Sequence, residues 1–303
     1  NLGELAVRTR SSFKTWANLL SEHAQSEAVV GELDHWLSIA ETDRIPVDFN
    51  GANTEESAQT VTVTLTAEET QALLQDVPAV YRTRINDALL TALAQAFNAN
   101  SLLIDLEGHG REFVENVDVT RTVGWFTTIF PVVLDCGKTQ SPADALPLVK
   151  EQLRAIPKRG IGYGLLRYSS GDARAAEMLR NLPQAEVRFN YLGQVDRVLL
   201  DSSMFSVTSQ PAGPAQSPNT RRVYLINIIA AVSAGQLRLE WTFSKRIHHE
   251  ETITRLAQTF VEELRNLIGE SRTSDTISYS PSDFPSAQLS QEELNRVLAK
   301  LRG

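Results

Sequence analysis

One cysteine, Cys136, stands in 303 residues, so an intrachain disulfide framework is excluded and the chain fits a reducing compartment. Basic charge is short as well. The 29 lysines and arginines face 37 acidic residues, net charge -8, which leaves no excess to neutralise a phosphate backbone and argues against a general nucleic-acid binder. No apolar run reaches the roughly 20 residues that span a bilayer, and the opening NLGELAVRTRSSF lacks the apolar core of a signal peptide. The expectation is a soluble, cytoplasmic protein with no membrane and no nucleic-acid partner. Glycine spacings that cradle phosphate are absent, and so is an H-E-x-x-H helix. The adjacent His248 and His249 would point to different sides of any regular element, so no metal site is expected there. Repeats of fixed period are missing too. The chain starts without methionine and in mid-pattern, which marks it as an expected piece of something larger.

What is present has ordinary globular composition, 42% apolar and 22% charged, at a length that allows one large domain or two. Phe13, Trp16, Ala17 and Leu20 fall at helical spacing, and Val30, Leu33, Trp36, Leu37 and Ala40 predict a second helix. Residues 41 to 60 are polar and read as a linker or exposed loop. Alternating Val and Thr over 61 to 65 predict a half-buried strand, and Thr66 with Glu69 makes a capping box for the helix behind it. Residues 83 to 97 carry the clearest helical pattern of the first half. Ser141 and Pro142 open another helix, with Pro147 disturbing its early course. Glu186 to Leu192 alternates as a strand, and Val223 to Val232 with Leu237 to Phe243 predicts a hairpin turning at Ala234-Gly235. Ile253, Leu256, Phe260, Leu264 and Leu267 mark an amphipathic helix closed by Gly269, and Ser290 with Glu293 caps one more at the tail. Helices and strands alternate mostly singly. That order predicts an α/β fold, a mixed sheet flanked by helices.

The stretch richest in chemistry is 101 to 133. Leu102 to Leu106 has the composition of a buried strand and stops at Glu107-Gly108-His109-Gly110-Arg111-Glu112, where two glycines bracket a histidine among charges. A strand that ends so delivers ionisable groups to its own rim. Glu107 there is either a solvated or paired carboxylate or an acid/base, and His109 either holds the turn or takes part in chemistry. Arg111 and Arg121 can neutralise Glu107 or Glu112. Gly160, Gly162 and Gly164 give a backbone able to approach a ligand or another chain closely. Asn190 and Tyr191 are polar groups in an otherwise apolar strand and need partners, structural or ligand. Cys136 has no activating base near it in sequence and is read as inert.

Four stretches together resemble the epimerization domains of nonribosomal peptide synthetases: EGHGRE at 107 to 112, RTVGWFTTIFPV at 121 to 132, GIGYGLLRY at 160 to 168 and FNYLGQ at 189 to 194. The tail YSPSDFP at 279 to 285 is similar to the end of condensation and epimerization domains alike. The resemblance runs in the family's order over essentially the whole chain. It departs at one point, for the HHxxxDG motif of the family's N-terminal lobe is not in this sequence. The resemblance therefore implies one lobe, the C-terminal one, of a two-lobed chloramphenicol-acetyltransferase-like fold, with residues 1 to 60 as helices and linker following the first lobe and 61 to 303 as the second.

The implied activity is inversion of Cα, L to D, in an aminoacyl or peptidyl thioester on the phosphopantetheine arm of a peptidyl carrier protein, within a synthetase that makes a secondary metabolite such as an antibiotic. No cofactor of the chain's own is implied. Its expected partners are the carrier, the missing lobe and adjacent modules. Glu107 matches the family's carboxylate and takes the acid/base role; His109 and Arg111 shape the turn; Asn190 and Tyr191 line the same cleft, Tyr191 as a donor to the thioester oxygen; Trp125, with Phe126, packs beside the site. Without the histidine motif the isolated chain is expected to be inactive. A condensation-type acyltransferase lobe and a non-catalytic carrier-docking module are the alternatives. The arm at 209 to 222, ending Arg221-Arg222, is expected to bridge to the other lobe or meet an acidic carrier.

Overall fold

The computed structural model describes residues 11–39, 42–98, 101–111, 117–139, 141–195, 213–274 and 276–302. Internal contacts divide the chain into two compact units, one of Asn1–Glu41, Asp105–Val132 and Ile156–Gln184, the other of Thr42–Ile104, Val133–Ala155 and Ala185–Gly303.

The larger unit is organised on a hairpin. Strands β5 (Ile226–Ser233) and β6 (Gln236–Ser244) pair antiparallel around Ala234 and Gly235, both at positive φ (50° and 74°), the geometry that matches the strands' own twist. Leu237, Leu239, Trp241 and Phe243 are all fully buried, so one face of β6 is core at every second residue. Strand β1 (Ala58–Thr64) joins β6 antiparallel, and β4 (Val187–Gln194) joins β5 parallel. With β2 (Ser101–Gly108) and β3 (Thr128–Asp135) the order is β1-β6-β5-β4-β2-β3, a six-stranded mixed sheet. Residues 101 to 104 and 133 to 135 of the last two strands belong to this unit.

Helices α4 (Ala67–Tyr81), α5 (Ile85–Phe97), α6 (Pro142–Ala155) and α9 (Glu250–Thr273) complete its core. Thr66 and Glu69 close the predicted capping box on α4. Trp241 lies 5.8 Å from Phe260 of α9 and 6.4 Å from Phe97 of α5, ring to ring. Gly269 does not end α9, which runs four residues further to Thr273; the apolar repeat stops there, but the backbone hydrogen bonds do not. Lys150 is buried on α6 and donates to both carboxylate oxygens of Asp283 at 2.8 Å and to the Tyr81 carbonyl, fastening the SPSDFP turn ahead of the last helix, α10 (Gln291–Arg302). None of the described helices is long and apolar enough to cross a membrane.

Arg222 corrects an expectation. Its side chain is only 8% exposed, 3.5 Å from Glu55 and donating to the Thr242 carbonyl, while Arg221 bridges to Thr54. The end of the arm is sewn into this unit's own edge, and Arg222 has no face left for a carrier. Residues 209 to 212 of that arm lie outside the described residues.

The smaller unit holds short helices: α1 (Phe13–His23), α2 (Glu27–Val30), α3 (Leu33–Leu37), α7 (Ile161–Tyr168) and α8 (Ala173–Arg180). The single helix expected over 30 to 40 is two pieces parted at Gly31 and Glu32: α2 ends at Val30, which is half exposed, and α3 opens at Leu33. Trp36 is fully buried, edge-on to Tyr163 of α7 and to Phe130 of β3. A second aromatic group joins Phe13, Trp16 and Phe126, with ring centroids 4.6 to 5.4 Å apart.

Candidate functional site

In the smaller unit Glu107 sits at the end of β2, half-buried. The turn beyond it is possible only with its glycines. A Cβ on Gly108 would come within 2.7 Å of the Thr128 hydroxyl, and Gly110, at φ 65°, packs so closely that a Cβ would lie 1.9 Å from the Phe126 carbonyl oxygen. Between them His109 turns its ring back, and Nδ1 accepts the Arg111 backbone N–H at 3.2 Å. A Nδ1 acceptor places the proton on Nε2 in the neutral ring. Burial lowers the His109 pKa, and Arg159 and Arg111 lower it further, so the neutral form dominates.

Arg111 braces the same turn. Its guanidinium donates to the carbonyls of Val119 and of Thr122 (2.9 Å) and lies 4.1 Å over the Phe126 ring. Hydrogen bonds from a charged donor are worth about 1.5–3 kcal/mol each, and a partly buried cation–π contact about 0.5–2. Those contacts make loop 117 to 126 the first thing Arg111 serves, whatever field it adds at Glu107. Phe126 packs with Trp16 and Val119, as expected, but Trp125 does not: it is 79% exposed, next to Gly124, which is pressed on the Phe13 ring. The chain must turn one of two neighbouring aromatics outward, and Phe126 takes the core.

Facing this turn in the same unit is Pro157–Gly160, where Lys158 (φ 41°), Arg159 (φ 56°) and Gly160 (φ 86°) are all left-handed. Each non-glycine residue so placed costs about 1–3 kcal/mol. Nothing in the sequence signals it, since lysine and arginine are not left-handed residues by preference. Of the glycines that follow, Gly162 lies against the Glu32 carboxylate and Gly164 meets nothing within 4 Å. Glu32 is itself buried and accepts the Trp36 indole N–H at 3.3 Å; burial raises its pKa, against the smaller opposing pulls of that hydrogen bond and of Lys158. The close approach to a ligand or another chain expected of 160 to 164 gives way to packing against Phe130 at Gly160 and against Glu32 at Gly162.

In the larger unit Asn190 and Tyr191 lie on β4 opposite Ile229 and Ala230, both half-buried, while Phe189 beside them is fully buried. The pairing shifts register between Tyr191 and Gln194, where Gly193 has φ 82°. Burial raises the Tyr191 pKa, keeping the phenol a hydrogen-bond donor. This unit also has a cavity of about 400 Å³ lined by Thr70, Gln71, Leu74, Gln75, Gln194 and Val232, none of them titratable. His248 is buried, its Nδ1 3.8 Å from Asp48, whereas His249 is exposed with its ring 4.3 Å from that of Phe49. Among the described residues no group of three metal-ligating side chains occurs. Burial pushes the Cys136 thiol up to about 11, which keeps it protonated and unreactive.

Comparison with known proteins gives a consistent family. The Condensation domain family matches residues 3–289. A linear gramicidin synthase of Brevibacillus parabrevis is 42% identical over 96% of this chain, and tyrocidine synthase 1 of the same organism 33% over 96%. The chain spans only 6% and 28% of those relatives' own lengths. Among solved structures, the epimerization domain from the third module of tyrocidine synthetase B is 35% identical with a TM-score of 0.80, over 88% of this chain and 61% of that one. A cyclization-docking bidomain from Sorangium cellulosum shares the fold alone, at 17% identity and a TM-score of 0.60 over 85% of this chain and 52% of that one. The family match over nearly the whole chain and the relatives of 33% and 42% identity agree with the six-stranded mixed sheet: this chain belongs to the Condensation domain family.

Proposed function

We propose that the chain is part of an epimerization domain, which inverts the Cα stereocentre of an aminoacyl or peptidyl thioester presented on the phosphopantetheine arm of a carrier protein during nonribosomal peptide synthesis. The observation that carries this reading is the likeness to the solved epimerization domain, at an identity well above that of the structures sharing only the fold.

The chemistry follows from the acidity of a proton beside a thioester. Glu107 takes the Cα proton, the electron pair moves toward the carbonyl, and negative charge gathers on oxygen. Proton return to the opposite face gives the other enantiomer. His109, neutral and tied to the Arg111 N–H, fixes the turn that aims Glu107. Asn190 and the protonated Tyr191 line the substrate's path, with Tyr191 donating to the thioester oxygen. Trp125 offers an exposed aromatic face to substrate or partner. The acid on the opposite face belongs to the histidine motif of the family's N-terminal lobe, so the activity is that of the complete domain. The carrier, that lobe and adjacent modules are its partners, in the cytoplasm, and the domain needs no cofactor of its own.

A condensation-type acyltransferase is the second reading, favoured by the family match, whose description is that of a condensation domain. The two part on one assay. Incubated in deuterated water with a carrier-bound L-aminoacyl thioester, the complete protein incorporates deuterium at Cα and yields both enantiomers; amide formed with a second loaded carrier and an unlabelled Cα is the acyltransferase result.

A further inference from the structure

Lys158 and Arg159 are exposed cations held in a backbone conformation that neither residue type favours. What holds them is visible on both sides of the turn. Gly160 lies on the Phe130 ring so closely that a Cβ would fall 2.1 Å from a ring carbon, and the Arg159 carbonyl oxygen is 3.7 Å from where a Cβ on Gly108 would stand. The turn is thereby packed tightly on Phe130 and runs beside the residue that follows Glu107. The two cations act in different directions. Arg159 acts electrostatically on His109, at the end of β2, whereas Lys158 acts on His23 and Glu32. Strain kept at such a place, when a glycine would remove it, indicates that the side chain is wanted there.

We propose that this turn holds Arg159 at the end of β2 to stabilise the negative charge that forms on the thioester oxygen during Cα proton transfer. The inference rests on the epimerization reading. As the Cα–H bond breaks, its proton passes to the Glu107 carboxylate, its electron pair forms the second Cα–C bond and the carbonyl π pair moves to oxygen, where the guanidinium meets it. When the acid on the other face delivers its proton to Cα, the pairs move back; Glu107 then gives up its proton to water and the acid regains one from solvent. A role in binding the phosphate of the arm fits poorly, because that phosphate is a whole arm's length from the thioester while Arg159 stands beside Gly108.

The test uses the complete synthetase and a carrier-bound aminoacyl thioester, following Cα deuterium exchange. Arg159→Gly relieves the positive φ, so a side chain with no role predicts equal or better stability and unchanged turnover. The proposal predicts an unchanged or higher melting temperature with kcat for exchange lowered about tenfold or more, KM for the loaded carrier unchanged, most of the rate regained in Arg159→Lys, and no loss in Lys158→Gly. Wild-type kcat in Arg159→Gly, or a loss confined to KM, overturns it. Should Arg159→Gly melt lower, Arg159→Lys decides: a recovered rate supports the proposal and an unrecovered one overturns it. Exchange lost in Glu107→Gln but intact in Arg159→Gly overturns this inference alone, whereas exchange retained in Glu107→Gln overturns the Glu107 reading and with it the step written here.

Discussion

Glu107 gains its distinction from its neighbours rather than from its own environment. Gly108 and Gly110 are glycines because Thr128 and the Phe126 carbonyl leave no space for a Cβ, and His109 and Arg111 are occupied in holding the turn between them. Of the ionisable residues in EGHGR, that leaves the carboxylate as the group whose placement the others serve. Replacing it by glutamine keeps size and shape and removes the base. In the complete protein Glu107→Gln is expected to lower Cα proton exchange by at least about a hundredfold while binding to the loaded carrier stays near the wild-type level. Exchange kinetics and a direct binding titration on the same variant check both halves. The motif could be read in the sequence, whereas the choice between Trp125 and Phe126 for the core could not. Adjacent aromatics look alike to any pattern, and only the ring cluster of Phe13 and Trp16 decides between them.

Elements governed by local rules were legible, and those set by distant contacts were not. The capping box of α4, the helix over 85 to 97 and the β5–β6 hairpin follow from hydrogen bonds and periodicities within a few residues. The break between α2 and α3 and the run of α9 past Gly269 depend on what each helix packs against. The same holds for Arg222, expected at the end of an arm that meets the other lobe or a carrier and found instead as an edge fastener beside Glu55. The hairpin turn still carries a local misfit, since Ala234 holds φ 50° where asparagine is better suited. Ala234→Asn is expected to stabilise the fold by roughly 0.5–1 kcal/mol, read as a higher urea midpoint with an unchanged slope. A lower midpoint would mean that the Ala234 methyl has packing value the turn geometry does not show.

Across the whole chain, His23, His35, His109 and His248 share one bias, for burial lowers the pKa of each below the ordinary 6.5. Below pH 6.5 the unfolded chain therefore binds protons that the folded chain resists. The stability these four contribute is complete above pH 6.5 and is lost as pH falls through the interval down to their lowered values. Denaturation midpoints measured from pH 8 to 5 are expected to hold steady and then decline below about 6.5; a midpoint that rises on acidification would contradict the shifts. The central claim, that a complete domain built on this chain makes and breaks a Cα–H bond, is tested most directly by deuterium wash-in on a carrier-bound L-aminoacyl thioester with a second loaded carrier present. The account predicts Cα deuterium in both enantiomers and no amide, and an amide product with an unlabelled Cα would contradict it.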